Sequence, residues 1–550
     1  MHEDKNNVSL MSEFRKFDPE NQRQTERDNE ESSKLTSEYE SFSPIQDINK
    51  VFEECKFGRF HIRLLLTTFA GFIASILVTN STSYLLPIAE CDLDMNLRQK
   101  GLLTAMPFFG MLISSVISGF LIDTFGRIIF LKLGYGGLFF FTLLSASSQN
   151  YGMYAAAKFG EGVLVGIANT GIMSITSEFC HPTVRDRVML CQSAFGAMAQ
   201  IICPAMAWGI LLQDWEWSFF GGSFVLKIWN FYLFAMSFWS FVGYFLYSTL
   251  PESPKFLVTQ KKYLEAKNIL VNVYAENTRK APETFPYPNL WDQEILETTS
   301  KVTQKHSFGM FRTQVLIGLR NMKPMLQRPL ISYLIILGTM QLVIVGIYDV
   351  LRLWFPQLST IVEHYDLDAS QNLCALVDNY TATEKLRIAN STLNSTEVCV
   401  PHISGMETYI DSIIIGLVCI VPYFISGVIV NKVGKKNLLI LSGIICIGAL
   451  LGIRWAQSKT MMVALFSVDV AIMQTMKSLT QMVLVEVFPT TIRSVAMSLV
   501  IVLSRIGTLI GNIGFPILLD KGCEVPFYSM AGMMICLIVL SMFTPKKKDT

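Results

Sequence analysis

Charged residues are scarce in this sequence: Asp, Glu, Lys and Arg make up 16% of its 550 residues, whereas a typical soluble protein has about 25%. The cysteine and histidine spacings of zinc sites, the HExxH motif, the Walker loop and the Gly-x-Ser-x-Gly turn of hydrolases are all missing. We therefore expect no metal site, no cofactor, no enzyme activity and no nucleic-acid partner. The sequence also lacks an ATP-binding segment, so no process driven directly by ATP is expected.

Hydrophobic residues, in contrast, make up 51% of the chain and include 38 phenylalanines. They occur in blocks of about 20 residues, and each block is long enough to cross a hydrocarbon core roughly 30 Å thick. The blocks show no strand-like alternation, so only helices could satisfy their backbone groups inside a bilayer. The sequence predicts an all-α polytopic membrane protein.

Twelve blocks qualify as candidate transmembrane helices. Their predicted spans are 62–85, 101–122, 128–147, 151–176, 188–213, 226–250, 329–354, 409–431, 437–455, 460–485, 494–518 and 525–543. They form two sets of six, a first bundle over 62–250 and a second over 329–543, joined by a cytoplasmic linker over 251–328. Tails over 1–61 and 544–550 complete the predicted organisation.

The N-terminal tail and the linker differ in their patterns. The tail opens with the polar stretch MHEDKNNVSL, which does not resemble a cleavable signal peptide. It holds no apolar run able to build a core, so we expect it to be flexible. In the linker, Leu264, Ile269, Leu270 and Val273 suit one face of a short helix.

Basic residues indicate which side of the membrane each loop faces. Arg127, Arg185, Lys435 and Arg493 lie in alternate short loops, on the same side as both tails, and the opposite loops hold few bases. Because loops rich in Lys and Arg stay in the cytoplasm, both termini are predicted to be cytoplasmic. The sequence does not choose between a vesicle membrane and the plasma membrane.

The segment over 357–407, between spans 7 and 8, falls on the extracellular or lumenal side in this topology. It carries three glycosylation sequons, at Asn379, Asn390 and Asn394. Their position on the side that the charges predict supports both the orientation and a glycosylated loop.

Cysteines of the same side could form disulfides in an oxidising compartment. Cys374 and Cys399 both lie in the predicted loop and could pair with each other. Cys91 and Cys523 also reach this side, so the four cysteines permit three sets of pairings. The sequence does not choose between them.

Two short motifs recur at one spacing. GFLIDTFGRI, residues 119–128, returns as GVIVNKVGKK, residues 427–436, after 308 positions. EFCHPTVR, residues 178–185, returns as EVFPTTIR, residues 486–493, at the same offset of 308. A shared offset indicates that the two halves are duplicated six-helix units, a transporter plan in which the substrate site lies between the repeats.

These motifs carry a family resemblance that covers about 55–545. GFLIDTFGRI resembles the signature after the second helix of the major facilitator superfamily. PESPKFL, residues 251–257, is similar to the motif after the sixth helix in the sugar-porter and organic-ion branches. The acidic-to-basic stretches over 178–185 and 486–493 resemble those branches' motifs after helices 4 and 10.

The resemblance implies an inner gate. In the superfamily, charged residues at the cytoplasmic helix ends form ion-pair networks within and across the halves, which hold the gate shut while the site faces outward. The matching positions here are Asp123, Gly126, Arg127, Glu178, Arg185, Glu486 and Arg493. Exposed ion pairs contribute about 0–1 kcal/mol each, which suits a gate that must open and close.

Within the superfamily, the chain is similar to synaptic vesicle glycoprotein 2 and its relatives. YLLPIAECDLDMNLRQKGLL after span 1, MAWGILLQDWEWSF near span 5 and the sequon-rich loop carry this likeness. The sequence departs from the family pattern where Thr124 and Ile128 stand at basic positions, and where span 1 lacks the acidic pair. These departures argue against proton coupling through span 1.

Polar residues inside the spans are candidates for a substrate site, because burying them in a bilayer is costly. The candidates are Lys477, Gln481, Gln474, Asp349, Arg505, Asn512 and Glu161. Lys477 could neutralise an anionic substrate or pair with Asp349, which could also pair with Arg352 three residues on. The alternative for each residue is hydrogen bonding between helices without substrate contact.

The resemblance therefore implies a secondary transporter that moves a small organic solute, charged or neutral, by alternating access. A coupling ion is expected, although the sequence does not identify it as a proton. The competing hypothesis is a transporter-shaped vesicle glycoprotein that no longer transports and binds protein partners through 1–61 or 357–407. A plasma-membrane organic-ion transporter is a third interpretation.

Overall fold

Helices form nearly all of the structure. The computed structural model describes residues 44–222, 224–292, 294–295, 327–364, 372–391, 403–422, 429, 432–488 and 490–543. Residues 296–326 of the predicted linker, the sequon residue Asn394, Cys399, and the tail residues 1–43 and 544–550 lie outside the described residues.

The first half contains nine α-helices and one short hairpin among the described residues. The helices are α1 (Pro44–Cys55), α2 (Arg59–Leu85), α3 (Leu97–Phe125), α4 (Arg127–Ala146), α5 (Tyr151–Phe179), α6 (Pro182–Leu211), α7 (Ile228–Ser248), α8 (Pro254–Thr259) and α9 (Tyr263–Thr278). Strands β1 (Trp217–Phe219) and β2 (Phe224–Leu226) pair antiparallel between α6 and α7. Apart from this hairpin, the predicted all-α class is confirmed.

The second half repeats the plan. Its helices are α10 (Leu330–His364), α11 (Leu373–Ser391), α12 (Met406–Val418), α13 (Lys435–Ile453), α14 (Lys459–Val487), α15 (Thr490–Leu519) and α16 (Glu524–Met542). Within the first half α3 and α4 pack on α5, and within the second half α10 packs on α14 and α15. The halves meet where α3 packs against α15, α6 against α12 and α2 against α10.

Nine helices of the described residues are long and apolar enough to cross a membrane. A tenth span results if the two parts of α3, which meet at 52°, count as one. The remaining two predicted spans are α5, which is 29 residues long but is not among these ten, and 409–431, of which α12 is only the first part. A multi-pass helical membrane protein is thus confirmed, and the count of twelve stays a prediction.

Part of the predicted N-terminal tail forms a helix with a buried apolar face. Residues from Pro44 onward form α1, whose Ile48, Val51, Phe52 and Cys55 are buried. The helix packs against α9 of the linker. The expectation of a tail without a core is therefore wrong for 44–61, because the linker supplies the apolar partner that the tail alone lacks.

The linker helix is confirmed as α9, with one error in its buried face. Leu270 and Val273 are buried as the pattern predicts, whereas Leu264 is exposed. Ala266 and Tyr274 are buried instead. The face is rotated because α9 packs on both α1 and the start of α2, contacts that only the tertiary structure supplies.

The predicted loop over 357–407 is largely helical. Helix α10 continues to His364, ten residues beyond the predicted end of span 7, and α11 covers Leu373–Ser391. Asn379 is exposed on α11, as a glycosylation site must be. Asn390 also lies on α11.

Cys374 does not pair with a cysteine of the same loop. Cys374 is bonded to Cys523, between α15 and α16. The Cys523 backbone N–H donates to Asp378 Oδ1 over 2.7 Å, which holds α11 over the helix ends. The possible pairing of Cys374 with Cys399 is therefore wrong, because α11 folds back onto the bundle. Cys91 is disulfide-bonded as well.

Peptide mapping without reduction tests this pairing. We expect proteolysis of the full chain to release a cross-linked peptide that contains Cys374 and Cys523, because the two cysteines are held together by α11. In a Cys523→Ser variant this peptide should disappear. A peptide that joins Cys374 to Cys399 in the unaltered protein would contradict the fold described here.

Close packing of α3 on α5 depends on glycine. A methyl group added at Gly162 would collide with the backbone carbonyl of Pro107. The same device recurs where α15 crosses α10, since a methyl group at Gly507 would collide with the carbonyl of Leu342. Small residues of this kind let membrane helices approach closely.

Substituting Gly162→Ala should destabilise the bundle by about 1–3 kcal/mol, because overpacking forces the helix backbones apart. Gly448→Ala is the matched control, since no atom lies within 4 Å of a methyl group added there. We expect the apparent Tm of the detergent-solubilised protein to fall for Gly162→Ala only. Equal Tm values for both variants would show that the interface can adjust.

Candidate functional site

Polar residues form two groups, one at the helix ends and one between the halves. We call the membrane face that holds Gly126 and Gly434 the motif side, and the face that holds Cys374 and Cys523 the disulfide side. The first group lies at the motif side, and the second lies within the membrane-spanning part.

The turn between α3 and α4 is made by Gly126. Its φ of +113° lies in the region that favours glycine, and an added side chain would collide with Glu252. The carboxylate of Glu252 accepts from the backbone N–H groups of Arg127, at 2.9 Å, and Ile128, at 3.0 Å. It therefore caps the N-terminus of α4, where a negative charge is stabilised.

Arg127 is the centre of the ion-pair cluster beside this turn. Its Nη2 lies 2.9 Å from Asp123 Oδ1 and 2.9 Å from Glu178 Oε1. The guanidinium also lies over the ring of Phe256, 4.8 Å from its centroid. The cluster ties the ends of α3, α4, α5 and α8 together within the first half.

The second half contains the equivalent pair. Lys435 forms an ion pair with Glu486, and both lie 308 positions after Arg127 and Glu178. Gly434, the counterpart of Gly126, also has a positive φ, of +84°. The predicted repeat therefore preserves a physical interaction, and Asn431 lies outside the described residues.

The two matched arginines of the motifs have different surroundings. Arg493 donates from Nε to the carbonyl of Phe488 over 3.3 Å, which closes the turn before α15. Arg185 lies near Lys255 of α8. Burial lowers the pKa of Lys255, and the charge of Arg185 lowers it further.

The central group connects the halves through Tyr348 on α10. The amide of Gln200, on α6, donates to the Tyr348 hydroxyl over 2.8 Å. That hydroxyl donates to Gln474 Oε1, on α14, over 2.8 Å. One tyrosine thus bridges the first half to the second across the space between them.

Asp349, next to this tyrosine, has two partners. Arg352 Nη2 lies 3.2 Å from its Oδ1, so the predicted pairing within α10 is present. The Thr508 hydroxyl, on α15, donates to Oδ2 over 2.6 Å. Asp349 is buried, and Arg352 balances its charge.

Lys477 and Arg505 complete the central group. Lys477 Nζ lies 5.6 Å from the centroid of the Tyr348 ring. Both residues interact electrostatically with Asp349 and Arg352. Among the described residues, neither forms an ion pair of its own. The central group therefore carries three cations and one carboxylate.

The other predicted cavity candidates divide between two places. Asn512, fully buried, donates to the carbonyl of Thr508 over 2.9 Å, and Gln481 is partly exposed on the same helix face as Lys477. Glu161 lies elsewhere, in a buried ion pair with Lys158 of the same helix, at 2.8 Å. The structure therefore brings six of the seven candidates to α10, α14 and α15 and separates Glu161.

Sequence reasoning missed Tyr348 and Glu252. A tyrosine among apolar residues of a span has the pattern of a core residue, so no signal identified Tyr348. Glu252 was visible in the PESPKFL motif, but its contact with the backbone of α4 depends on how α8 folds under the bundle.

Among the described residues, the halves contact each other at the disulfide side. Arg98, at the start of α3, lies 3.2 Å from Asp520 after α15. The rings of Tyr84 and Tyr409 lie 6.2 Å apart where α2 ends and α12 begins. At the motif side, the ion pairs of the described residues stay within one half. The network across the halves, expected when the site faces outward, stays a prediction.

The sequence resembles two protein families and several known proteins. The family model "Sugar (and other) transporter" matches residues 28–345, and the "Major Facilitator Superfamily" model matches residues 402–550. Synaptic vesicle glycoprotein 2A of Homo sapiens is 27% identical over 235 residues, 42% of this chain and 32% of the relative. Glycoprotein 2B of Rattus norvegicus is 27% identical over 251 residues, 46% of this chain and 35% of the relative. The match thus spans about a third of the length of these curated relatives.

Two solved structures show the fold. The partially occluded inward-open xylose transporter XylE from E. coli has a TM-score of 0.60 at 15% identity, covering 89% of this chain and 100% of that chain. A D-xylose–proton symporter has a TM-score of 0.59 at 14% identity, covering 89% of this chain and 99% of that chain. The predicted two-bundle fold is confirmed, and at this identity the likeness extends no further.

Substituting Glu252→Gln should destabilise the motif side, because it removes the negative charge that caps α4. We expect a loss of about 1–2 kcal/mol, as for other helix caps, measured as a lower apparent Tm. Glu283→Gln, at an exposed position of the linker, is the matched control. A Tm for Glu252→Gln equal to that of the control would contradict a capping role.

Proposed function

Because this chain belongs to the family of sugar (and other) transporters, we propose that it is a secondary transporter that moves a small organic anion by alternating access. The central group between the halves is the proposed substrate site. The observation that carries this proposal is its charge: Lys477 and Arg505 have no carboxylate of their own among the described residues.

The balance of charge favours an anion over a neutral solute. Asp349 is already paired with Arg352 and accepts from Thr508, so it leaves two cations to be balanced. An uncompensated cation inside a membrane protein is costly. A carboxylate, sulfate or phosphate group between Lys477 and Arg505 would remove this cost and gain charge-assisted hydrogen bonds.

The exposure of α14 supports a solvent-filled space at this position. Gln474, Lys477 and Gln481 are partly exposed, whereas their neighbours Met473, Met476 and Leu479 are buried. The spacing places the polar residues on one face of the helix. This face is directed at Tyr348, which Gln474 contacts, and so towards the interface of the halves.

We extend the proposal to the conformational cycle and to the orientation. The motif side is cytoplasmic, with both termini, since its loops are basic. The disulfide side, with Asn379, faces the exterior or a vesicle lumen. Contacts concentrated at the disulfide side leave the site open to the motif side, so the state described is inward-facing.

The ion pairs of the motif side then have a defined role in this cycle. Arg127 with Glu178 and Lys435 with Glu486 hold the helix ends of each half together. When the halves rock, Asp123, Arg185 and Arg493 come into reach of the opposite half and close the inner gate. We further propose that the gradient of a coupling ion drives this rocking.

A second candidate function is a transporter-shaped glycoprotein that binds protein partners and does not transport. One observation favours it: α2 carries no carboxylate between Thr67 and Leu85. In addition, Thr124 donates to the carbonyl of Phe120, and Ile128 is buried, so neither position supplies a charge to the gate. The likeness to synaptic vesicle glycoprotein 2A is compatible with this function.

Uptake into proteoliposomes tests the proposal. The probes are radiolabelled mono- and dicarboxylates, sulfated and phosphorylated metabolites, and neutral xylose. We expect uptake of at least one anion, and a roughly tenfold or larger loss for Lys477→Met and Arg505→Met, since about 1.4 kcal/mol is tenfold and a charged hydrogen bond contributes about 1.5–3 kcal/mol.

Lys280→Met, at an exposed position of the linker, is the control for loss of a positive charge and should transport normally. Xylose uptake that is indifferent to Lys477→Met would overturn the anion assignment. No uptake or binding of any probe, with recovery of protein partners through 1–61 or 357–407, would favour the second candidate.

A further inference from the structure

Each half of the bundle contains one fully buried acid at an equivalent position. Glu161 lies on α5 and Asp469 lies on α14, and the two are separated by the same 308 positions that relate the motifs. Both side chains are completely buried. The repeat therefore gives an internal comparison between two carboxyl groups in the same place of the fold.

Glu161 is fully compensated. Lys158 Nζ lies 2.8 Å from its Oε2, and the Ser145 hydroxyl donates to Oε1 over 2.7 Å. Lys158 also donates to Ser81 Oγ over 3.0 Å and to the carbonyl of Val78 over 3.2 Å. Both charges of the pair are thus held by neighbours, as a buried ion pair requires.

Asp469 has no such compensation. Neither of its carboxyl oxygens accepts a hydrogen bond of normal geometry from the described residues. The position equivalent to Lys158 is Phe466, so the cation of the first half is missing. The titratable group that interacts with Asp469 is the thiol of Cys446 on α13.

Other ionisable groups on the helices packed against α14 are engaged elsewhere. On α10, Asp349 and Arg352 pair with each other, and on α12, Glu407 and Asp411 pair with Lys459.

Further ionisable groups lie on the neighbouring helices: Lys436 donates to the carbonyl of Met542, Arg493 donates to that of Phe488, and Glu363 accepts from Thr408. On α13, Lys435 pairs with Glu486 at the motif side. Arg505, on α15, interacts with the central group. Among the described residues, none of these groups forms an ion pair with Asp469.

An ionised carboxylate in this position would be expensive. Burial of an isolated charge away from water costs far more than a hydrogen bond returns, and the group becomes neutral instead. Asp469 lies eight residues from Lys477, about 12 Å along the helix axis, so the cations of the substrate site do not balance it.

We infer that Asp469 is a protonation site, in which the carboxylate takes one proton from hydronium, holds it while α13 and α14 exclude water, and returns it when water enters between these helices. Uptake forms the carboxyl O–H bond and breaks an O–H bond of hydronium, and release reverses both changes. In the other state of the cycle, water must reach the carboxylate and hydrate it. The inference rests on the proposed function only where the proton is taken as the coupling ion.

Infrared difference spectroscopy of the full chain in lipid nanodiscs tests this site without a substrate. A pH step should produce the C=O stretch of a protonated carboxylic acid, which is separate from carboxylate bands. We expect this band to be lost in Asp469→Asn and retained, at a shifted frequency, in Asp469→Glu. Cys446→Ala should shift the band, because the thiol interacts with the carboxyl group.

The matched control is the double variant Lys158→Met with Glu161→Gln, which removes the compensated acid together with its cation and should leave the band in place. If Asp469→Asn does not fold, Asp469→Val provides the same comparison. A band that survives loss of Asp469, or a wild-type protein without the band, would overturn the inference.

Conformational populations give a second readout. Spin-labelled non-natural residues, one on each half at the motif side, report the distance between the halves. We expect this distance distribution to change with pH in the wild type and to be independent of pH in Asp469→Asn. A pH response that is the same in both proteins would overturn the role of Asp469 in the cycle.

These measurements separate the two proposals. If no solute is transported but the band and its loss in Asp469→Asn are observed, the protonation site stands and the proposed function fails. If an anion is transported while the band is absent, the proposed function stands and Asp469 is not the protonation site.

Discussion

The cost of an uncompensated charge in the membrane interior is the constraint on which this structure depends. Buried ion pairs meet it in several places, among them Lys158 with Glu161 and Lys100 with Glu90, each at 2.8 Å. Removing one partner of such a pair typically costs about 3–5 kcal/mol. Residues that break the pattern, Lys477, Arg505 and Asp469, are therefore the ones from which function is inferred.

Duplication shapes how the halves are built and how they differ. The turn glycine and the ion pair beside it occur twice, at Gly126 with Arg127–Glu178 and at Gly434 with Lys435–Glu486. These interactions make each half a unit. The membrane-spanning part is not symmetrical, since the excess cations lie only in the second half, which suits a substrate site formed mainly by α10, α14 and α15.

Much of the fold follows from the sequence because its causes are local. Blocks of apolar residues of bilayer length predict the helices, and the helix ends at Gly126 and Gly434 are visible from the repeated motif. Pairing of Asp349 with Arg352 is also local, since three residues on a helix separate them. Contacts that require distant segments were missed, such as the burial of α1 on the linker.

The sequence by itself determined the membrane class, the duplicated halves and most candidate residues, because hydrophobic length and a fixed offset are properties of the chain. Only the tertiary structure decided which polar groups meet. It joined Cys374 to Cys523, placed Tyr348 between Gln200 and Gln474, and left Asp469 without a cation among the residues it describes. These outcomes depend on how the helices rotate and cross, and the residue spacing within one helix does not determine either.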